Sequence, residues 1–146
     1  MQFNPLEILT KVFGTKLNKV ASKSTYKNED KICVEFQNEM KCLLLENKLN
    51  CLWFHVANEG AYGGEGFRPM YGEKLKRMGK AKGMFDYIFL SQNGSAMIEF
   101  KYNRNKMTPS QVIVKDWADN LKIPTLVAYS SEEAIRFLKQ IKFIKD

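Results

Sequence analysis

Asp86, Glu99 and Lys101 have the types and spacing that metal-assisted chemistry on an anionic substrate needs. Glu99 and Lys101 stand two apart in the apolar run MIEFKY, residues 97–102, so on a strand they share a face. Asp86 lies in GMFDYIFLSQNGSAMIEFKY, two strand-like runs joined through Asn93 and Gly94, the strongest short hairpin signal. With those two residues as the turn, Asp86 falls across from Lys101 and Ile88 across from Glu99, which makes Asp86 and Glu99 diagonal neighbours on one face. The other face takes Phe85, Tyr87 and Phe89 against Ile98 and Phe100 as core. A cross-strand salt bridge of both acids with Lys101 is the plain explanation. Two carboxylates in a partly buried site repel, however, and one lysine neutralises only one of them. Mg²⁺ or Mn²⁺ would do better, because these ions take one or two carboxylates together with waters and phosphate. Such an ion polarises a phosphoryl oxygen and activates water, while Lys101 orients the water or offsets developing charge. The sequence supplies no Ser/His/Asp set and only one histidine, so metal-assisted hydrolysis is the chemistry best provided for.

The rest of the composition agrees with an anionic substrate. Lys and Arg number 23 against 16 acids, a net charge of +7 on 146 residues, enough for one domain. That balance favours a polyanion, nucleic acid ahead of an anionic membrane surface, over a charge that only aids solubility. The densest positive stretch, RPMYGEKLKRMGKAKG, carries Arg68, Lys74, Lys76, Arg77, Lys80 and Lys82. Phosphate contacts are its functional reading and a solvated helix face its plain one. Cys33, Cys42 and Cys51 form no CxxC pair and read as reduced and mostly buried. His55, four residues after Cys51, reads as a satisfied or exposed strand residue rather than a metal ligand. The opening residues lack the long apolar core of a signal peptide or membrane span, and no nucleoside-triphosphate phosphate loop occurs, so a cytoplasmic protein without a nucleotide cofactor is expected.

These residues need elements to position them. Leu6, Leu9, Val12, Phe13, Leu17 and Val20 recur at helical spacing after Asn4-Pro5 and predict an opening helix, followed by a basic connector to residue 30. From Lys31 to about Lys48, Ile32, Phe36, Met40, Leu43 and Leu44 share one side of a helix, with Glu35, Glu39 and Glu46 along a flank. CLWFHVA reads as a strand and NEGAYGGEGF as a glycine-rich loop. Thr108 and Pro109 open a helix, IPTLVAYS is a buried strand, and Ser130 or Ser131 opens a last helix. The order predicts an α/β mixed sheet with helices on both faces.

In this order the motifs resemble the VRR-NUC domains of the PD-(D/E)xK nucleases. The likeness runs through LKRMGKAKGMFDYIFL with its two glycines and Asp86, MIEFKY as the Glu-x-Lys element, TPSQ as a helix start and AYSSEEA, with EFQNE and FHVANEG upstream. It covers Glu35 to Leu138, leaving residues 1–30 as an unmatched extension before a domain of residues 31–146. Phe85 stands where the family has proline, and the stretch between Asn58 and Arg68 is unlike the family's basic loop. The resemblance implies a restriction-endonuclease-like core in α-β-β-β-α-β order, with Asp86, Glu99 and Lys101 catalytic and the carbonyl of Phe100 a further ligand of Mg²⁺ or Mn²⁺. Glu35, or Glu39 if the helix match is displaced, would approach the metal, and Gln111 would support the site. It also implies DNA, branched as at a Holliday junction, as substrate, and a homodimer; the competing reading is a non-catalytic nucleic-acid-binding module on the same fold.

Overall fold

Short apolar runs separated by turns become a four-stranded sheet, β1 Cys51–His55, β2 Tyr87–Ser91, β3 Gly94–Phe100 and β4 Thr125–Ala128, in the spatial order β1-β2-β3-β4. The computed structural model describes residues 4–15, 28–57 and 69–146. β1, β2 and β3 run antiparallel, and β4 returns parallel to β3 through a crossover helix, so the sheet is mixed. The helices are α1 Pro5–Glu7, continued by a π-helical turn Ile8–Val12, α2 Asn28–Leu45, α3 Pro69–Arg77, α4 Pro109–Asn120 and α5 Ser131–Gln140. The protein is thus α/β, with helices on both sheet faces as expected. α3 stands between the first two strands and α5 follows the last.

Two cores form, one on each face. Phe36 and Met40 of α2, one turn apart, and Ala134 and Leu138 of α5, also one turn apart, cover Tyr87, Phe89, Ile98 and Phe100 on the first. Phe36 makes an edge contact with Tyr87 at 5.0 Å and a tilted one with Phe100 at 5.2 Å between ring centroids. On the second face Val114 and Ala118 of α4 pack on Met97 and Phe85. Phe85 therefore leaves the face expected for it: it precedes the paired part of β2, where strict alternation no longer applies.

The hairpin turns one residue earlier than the Asn-Gly signal suggests. Ser91 pairs with Gly94, and Gln92 and Asn93 form the turn. Neither turn residue has positive φ, whereas Gly94 takes φ 131°, so the mirror-image turn with Asn93-Gly94 at its centre does not form. The register slips by two residues relative to expectation. Because side chains alternate with period two, a two-residue slip preserves which face each side chain occupies.

The helix ends also differ. The opening helix stops at Val12, with Phe13 stacked on Trp53 at 4.7 Å; Leu17 and Val20 lie outside the described residues. α2 begins at Asn28 and ends at Leu45, so residues 28–30, expected in the connector, form its first turn. Glu29 and Asp30 in that turn suit the positive end of the helix dipole. Cys42 is exposed, and Cys33 and Cys51 are half-buried, so the cysteines are free but less enclosed than expected. Among the described residues no helix is long and apolar enough to cross a membrane.

One contact ties the approach to β2 onto α4. Gly83, at φ +83°, lies so close to the first turn of α4 that an added Cβ would sit 2.5 Å from the Ser110 carbonyl carbon and 2.6 Å from its oxygen. Gly83→Ala is expected to destabilise the fold by about 2 kcal/mol or more, from clash and left-handed backbone strain together. A urea midpoint equal to that of the wild type would show that this approach is not a constraint.

Candidate functional site

The end of the sheet where β1 and β3 finish and β2 begins opens into a cleft of about 690 Å³. The first turns of α2 and α4 close its sides, through Glu29 and Asp30 from one and Thr108 and Gln111 from the other. Asp86, Glu99 and Lys101 all line it.

Asp86 and Glu99 meet more directly than the expected diagonal. One step beyond the paired Tyr87 and Ile98 they lie across from each other, not Asp86 across from Lys101. The Asp86 backbone N–H donates to Glu99 Oε2 at 3.1 Å, and the Phe100 N–H donates to Asp86 Oδ2 at 2.8 Å. Each acid is therefore held by the other strand's main chain. Glu99 is 2% exposed and Lys101 8%, and the Lys101 ammonium donates to Glu99 Oε1 at 2.8 Å. Burial, and then the charge of Asp86, push the Glu99 carboxyl above its usual range despite the opposing pull of Lys101 and the Asp86 N–H. For Lys101 burial alone would lower the pKa. The hydrogen bond to Glu99 and the charges of Glu99, Glu29 and Asp86 outweigh it, and the net shift is upward.

Gln111 is set by its helix. Thr108 and Gln111 form a capping box: the Thr108 hydroxyl accepts from the Gln111 N–H, and Gln111 Oε1 accepts from the Thr108 N–H at 2.8 Å. With its oxygen committed to the cap, the amide turns Nε2 toward the sheet, where it donates to Glu99 Oε1. Phe100 is fully buried in the core, so only its main chain reaches the site.

Glu35 does not. It is exposed on α2 and lies outside the cleft wall, as does Glu39. The reason is the rotation of α2, which points Phe36 and Met40 at the sheet and leaves their neighbours in water. Glu29, from the first turn of α2, is an acid of that helix that comes close to the triad: its Oε1 lies 3.6 Å from the Lys101 ammonium. Glu29 precedes Phe36 by seven residues, two helical turns on the same side, so the heptad spacing carried a signal for it. His55 is the strand residue its sequence context predicts, exposed and edge-on to Tyr87 at 5.0 Å, and it also lines the cleft. Burial lowers its pKa, against the pull of Asp30 and Glu99.

The basic residues lie away from these acids. Lys74, Lys76 and Arg77 occupy the last turn of α3, Lys80 and Lys82 follow it, and all five are exposed. Lys76 pairs with Glu73 at 2.9 Å. None of the five lines the cleft, and Arg68, like the glycine-rich stretch before it, lies outside the described residues.

The cleft inverts the charge of the molecule. Among its lining residues, four carboxylates, Glu29, Asp30, Asp86 and Glu99, face two ammonium groups, Lys41 and Lys101, in a protein of net charge +7. A carboxylate offers about four acceptor positions, and the hydrogen bonds to Glu99 come from Asp86 N–H, Lys101 and Gln111, which leaves room for one further partner. Among the described residues no three acid, thiol or imidazole groups converge into a complete metal cage. A carboxylate pair completed by waters and a phosphate is nonetheless the set that Mg²⁺ takes, and the chemistry of Asp86 and Glu99 fits it. No family model matches the chain, and no curated protein or solved structure does.

Proposed function

We propose that the protein is a cytoplasmic, Mg²⁺- or Mn²⁺-dependent endonuclease that hydrolyses DNA phosphodiester bonds, with branched DNA such as a Holliday junction as substrate. The observation that carries this reading is the acidic cleft in a basic protein, with Asp86 and Glu99 opposed at the sheet end and Lys101 beside them. A polyanion approaches such a cleft only if a cation bridges the two, whereas the surrounding positive charge attracts it from a distance. The mixed sheet with helices on both faces is compatible with a restriction-endonuclease-like core and with the VRR-NUC resemblance.

Asp86 and Glu99, with the Phe100 carbonyl, would hold the ion. Bound there, it would supply positive charge against the phosphate and acidify the attacking water. Lys101, its ammonium fixed by Glu99, stands ready to donate to an oxygen on which negative charge develops. Gln111 keeps the Glu99 carboxylate oriented, and Glu29 balances the far side of Lys101. The exposed basic residues of α3 and its exit carry the DNA flanks. A homodimer belongs to this reading, because two sites are needed across one junction, and the exposed row of Ile113 and Trp117 on α4 with Leu121 at its C-cap offers an apolar contact for a second copy.

One observation favours the competing reading, a non-catalytic nucleic-acid-binding module. The hydrogen bonds among Asp86, Glu99, Lys101 and Gln111 are mutual, as in a purely structural polar cluster. A panel of labelled single-stranded, duplex, flapped and four-way DNAs, with Mn²⁺, Mg²⁺ or EDTA, separates the two. Cutting that requires the metal, strongest on the four-way substrate, is expected. Binding without cutting under every metal condition would favour the module.

A further inference from the structure

The loop that joins β3 to α4 is anchored at both ends in the cleft wall, at Lys101 and Thr108, and the residues between them, none of which lines the cleft itself, border it. Its sequence, YNRNKM, carries two cations and an aromatic ring, and Tyr102, Arg104 and Lys106 are all exposed, Tyr102 by 44%. The sequence patch of basic residues lies elsewhere, on α3 and its exit, and the chemistry assigned to the cleft does not use this loop.

Three features hold the loop in shape. The Asn105 N–H closes a turn on the Tyr102 carbonyl at 3.1 Å, with Asn103 between them at φ 57°. The Tyr129 hydroxyl, from the end of β4, donates to the Asn105 carbonyl at 3.2 Å. Met107 packs into the core under α4, and Thr108 then caps that helix. Meanwhile the charges on the loop are not spent internally. Some surface cations elsewhere pair with acids, Lys76 with Glu73, Lys115 with Asp119 and Arg136 with Glu132. Among the described residues neither Arg104 nor Lys106 has an acidic partner. A rigid turn that presents two uncompensated cations on the rim of an acidic cleft is preorganised for an anion that spans rim and floor.

We infer that this loop is a second nucleic-acid contact, in which Arg104 and Lys106 hold phosphates neighbouring the one at Asp86 and Glu99, and Tyr102 stacks on an unpaired base of the same strand. It rests on the proposed function for its partner, DNA. It adds that the strand entering the cleft carries an unstacked nucleotide beside the cut, because a paired base has no free face to offer a tyrosine. Backbone contacts through Arg104 and Lys106 are indifferent to sequence, so the loop selects by strand structure.

Fluorescence anisotropy in Ca²⁺, an oxygen-liganded ion that can bridge the carboxylates and the phosphate in place of Mg²⁺, with a labelled single-stranded oligonucleotide and the duplex of the same sequence tests this, intact substrate after each run showing that binding alone is read. The double variant Arg104→Ala, Lys106→Ala is expected to bind both about tenfold more weakly, with the slope of log affinity against log salt reduced by roughly 1 to 2. Tyr102→Ala is expected to lose about tenfold on the single strand and little on the duplex, and Tyr102→Phe to bind as the wild type. All these side chains are exposed, and unchanged thermal unfolding confirms that each variant is folded. Wild-type affinity and salt slope in the double variant would overturn the inference, and equal single-strand binding by Tyr102→Ala would remove the stacked base. Weakened binding by the loop variants of a protein that cuts no DNA would uphold the contact while removing the hydrolysis.

Discussion

Asp86→Asn is expected to abolish metal-dependent DNA cleavage, with a loss on the order of a thousandfold, while leaving DNA affinity in EDTA nearly unchanged. Asparagine has almost the shape of aspartate, and its amide oxygen can still accept the Phe100 N–H that now reaches Asp86 Oδ2 at 2.8 Å. What it removes is the negative charge, and with it half of the carboxylate pair. That charge is also the second largest cause of the upward shift of Glu99. Its removal lets Glu99 ionise more easily and should hold or slightly raise thermal stability. The two readings of the site therefore diverge. A catalytic carboxylate gives a stable, inactive variant, whereas a structural ion cluster gives a less stable one. Full cleavage by Asp86→Asn would end the hydrolytic reading, and a marked fall in unfolding temperature would favour the structural one.

The second large effect concerns stability. Lys101→Met should cost about 2 to 3 kcal/mol at pH 8, because it leaves the Glu99 carboxylate buried without its ammonium partner. Methionine approximates the stem of lysine, so lost packing contributes little. The size of the loss depends on pH, and its sign follows from proton linkage. The Glu99 carboxyl already titrates above the ordinary glutamate value of 4.5 in the folded protein, and losing Lys101 removes the chief opposing influence and raises it further. In the window between the unfolded and folded pKa the native state holds a proton that the unfolded chain has released. The stability associated with Glu99 is thus complete below about pH 4.5 and declines as pH rises through the folded value. Urea midpoints in EDTA should show a larger deficit at pH 8 than at pH 5. Equal deficits at both would mean that Glu99 is not the group left unpaired.

Much of this arrangement was legible in the chain itself. Short apolar runs mark the strands, Phe36 and Met40 mark the buried side of α2, Thr108-Pro109 marks a helix start where the structure has it, and of Ser130 and Ser131 the structure takes Ser130 as the cap. Asp86, Glu99 and Lys101 were assigned to one face, and Gln111 was placed beside them through TPSQ. The shared face of Asp86, Glu99 and Lys101 depends on the local rule of period two, which holds before any long-range contact forms, whereas the place of Gln111 came from the family resemblance. The same reasoning carried the face of the hairpin but not its register, because the conformation of Gly94, rather than the identity of the Asn-Gly pair, decides where the chain turns.

The tertiary structure decided what sits across from what. Glu29 rather than Glu35 reaches Lys101, because the packing of Phe36 and Met40 sets the rotation of α2 against the sheet. Phe85 joins the α4 core, Gly83 meets Ser110, and Tyr129 props the 102–107 loop, all through contacts between segments distant in sequence. Sequence by itself determined which residues are chemically able and which side of each element they occupy, since backbone geometry repeats with a fixed period along helix and strand. Their distances, the inverted charge of the cleft and the rigidity of its rim arose only when separate elements packed, because close packing rather than local propensity sets the angle and offset between them.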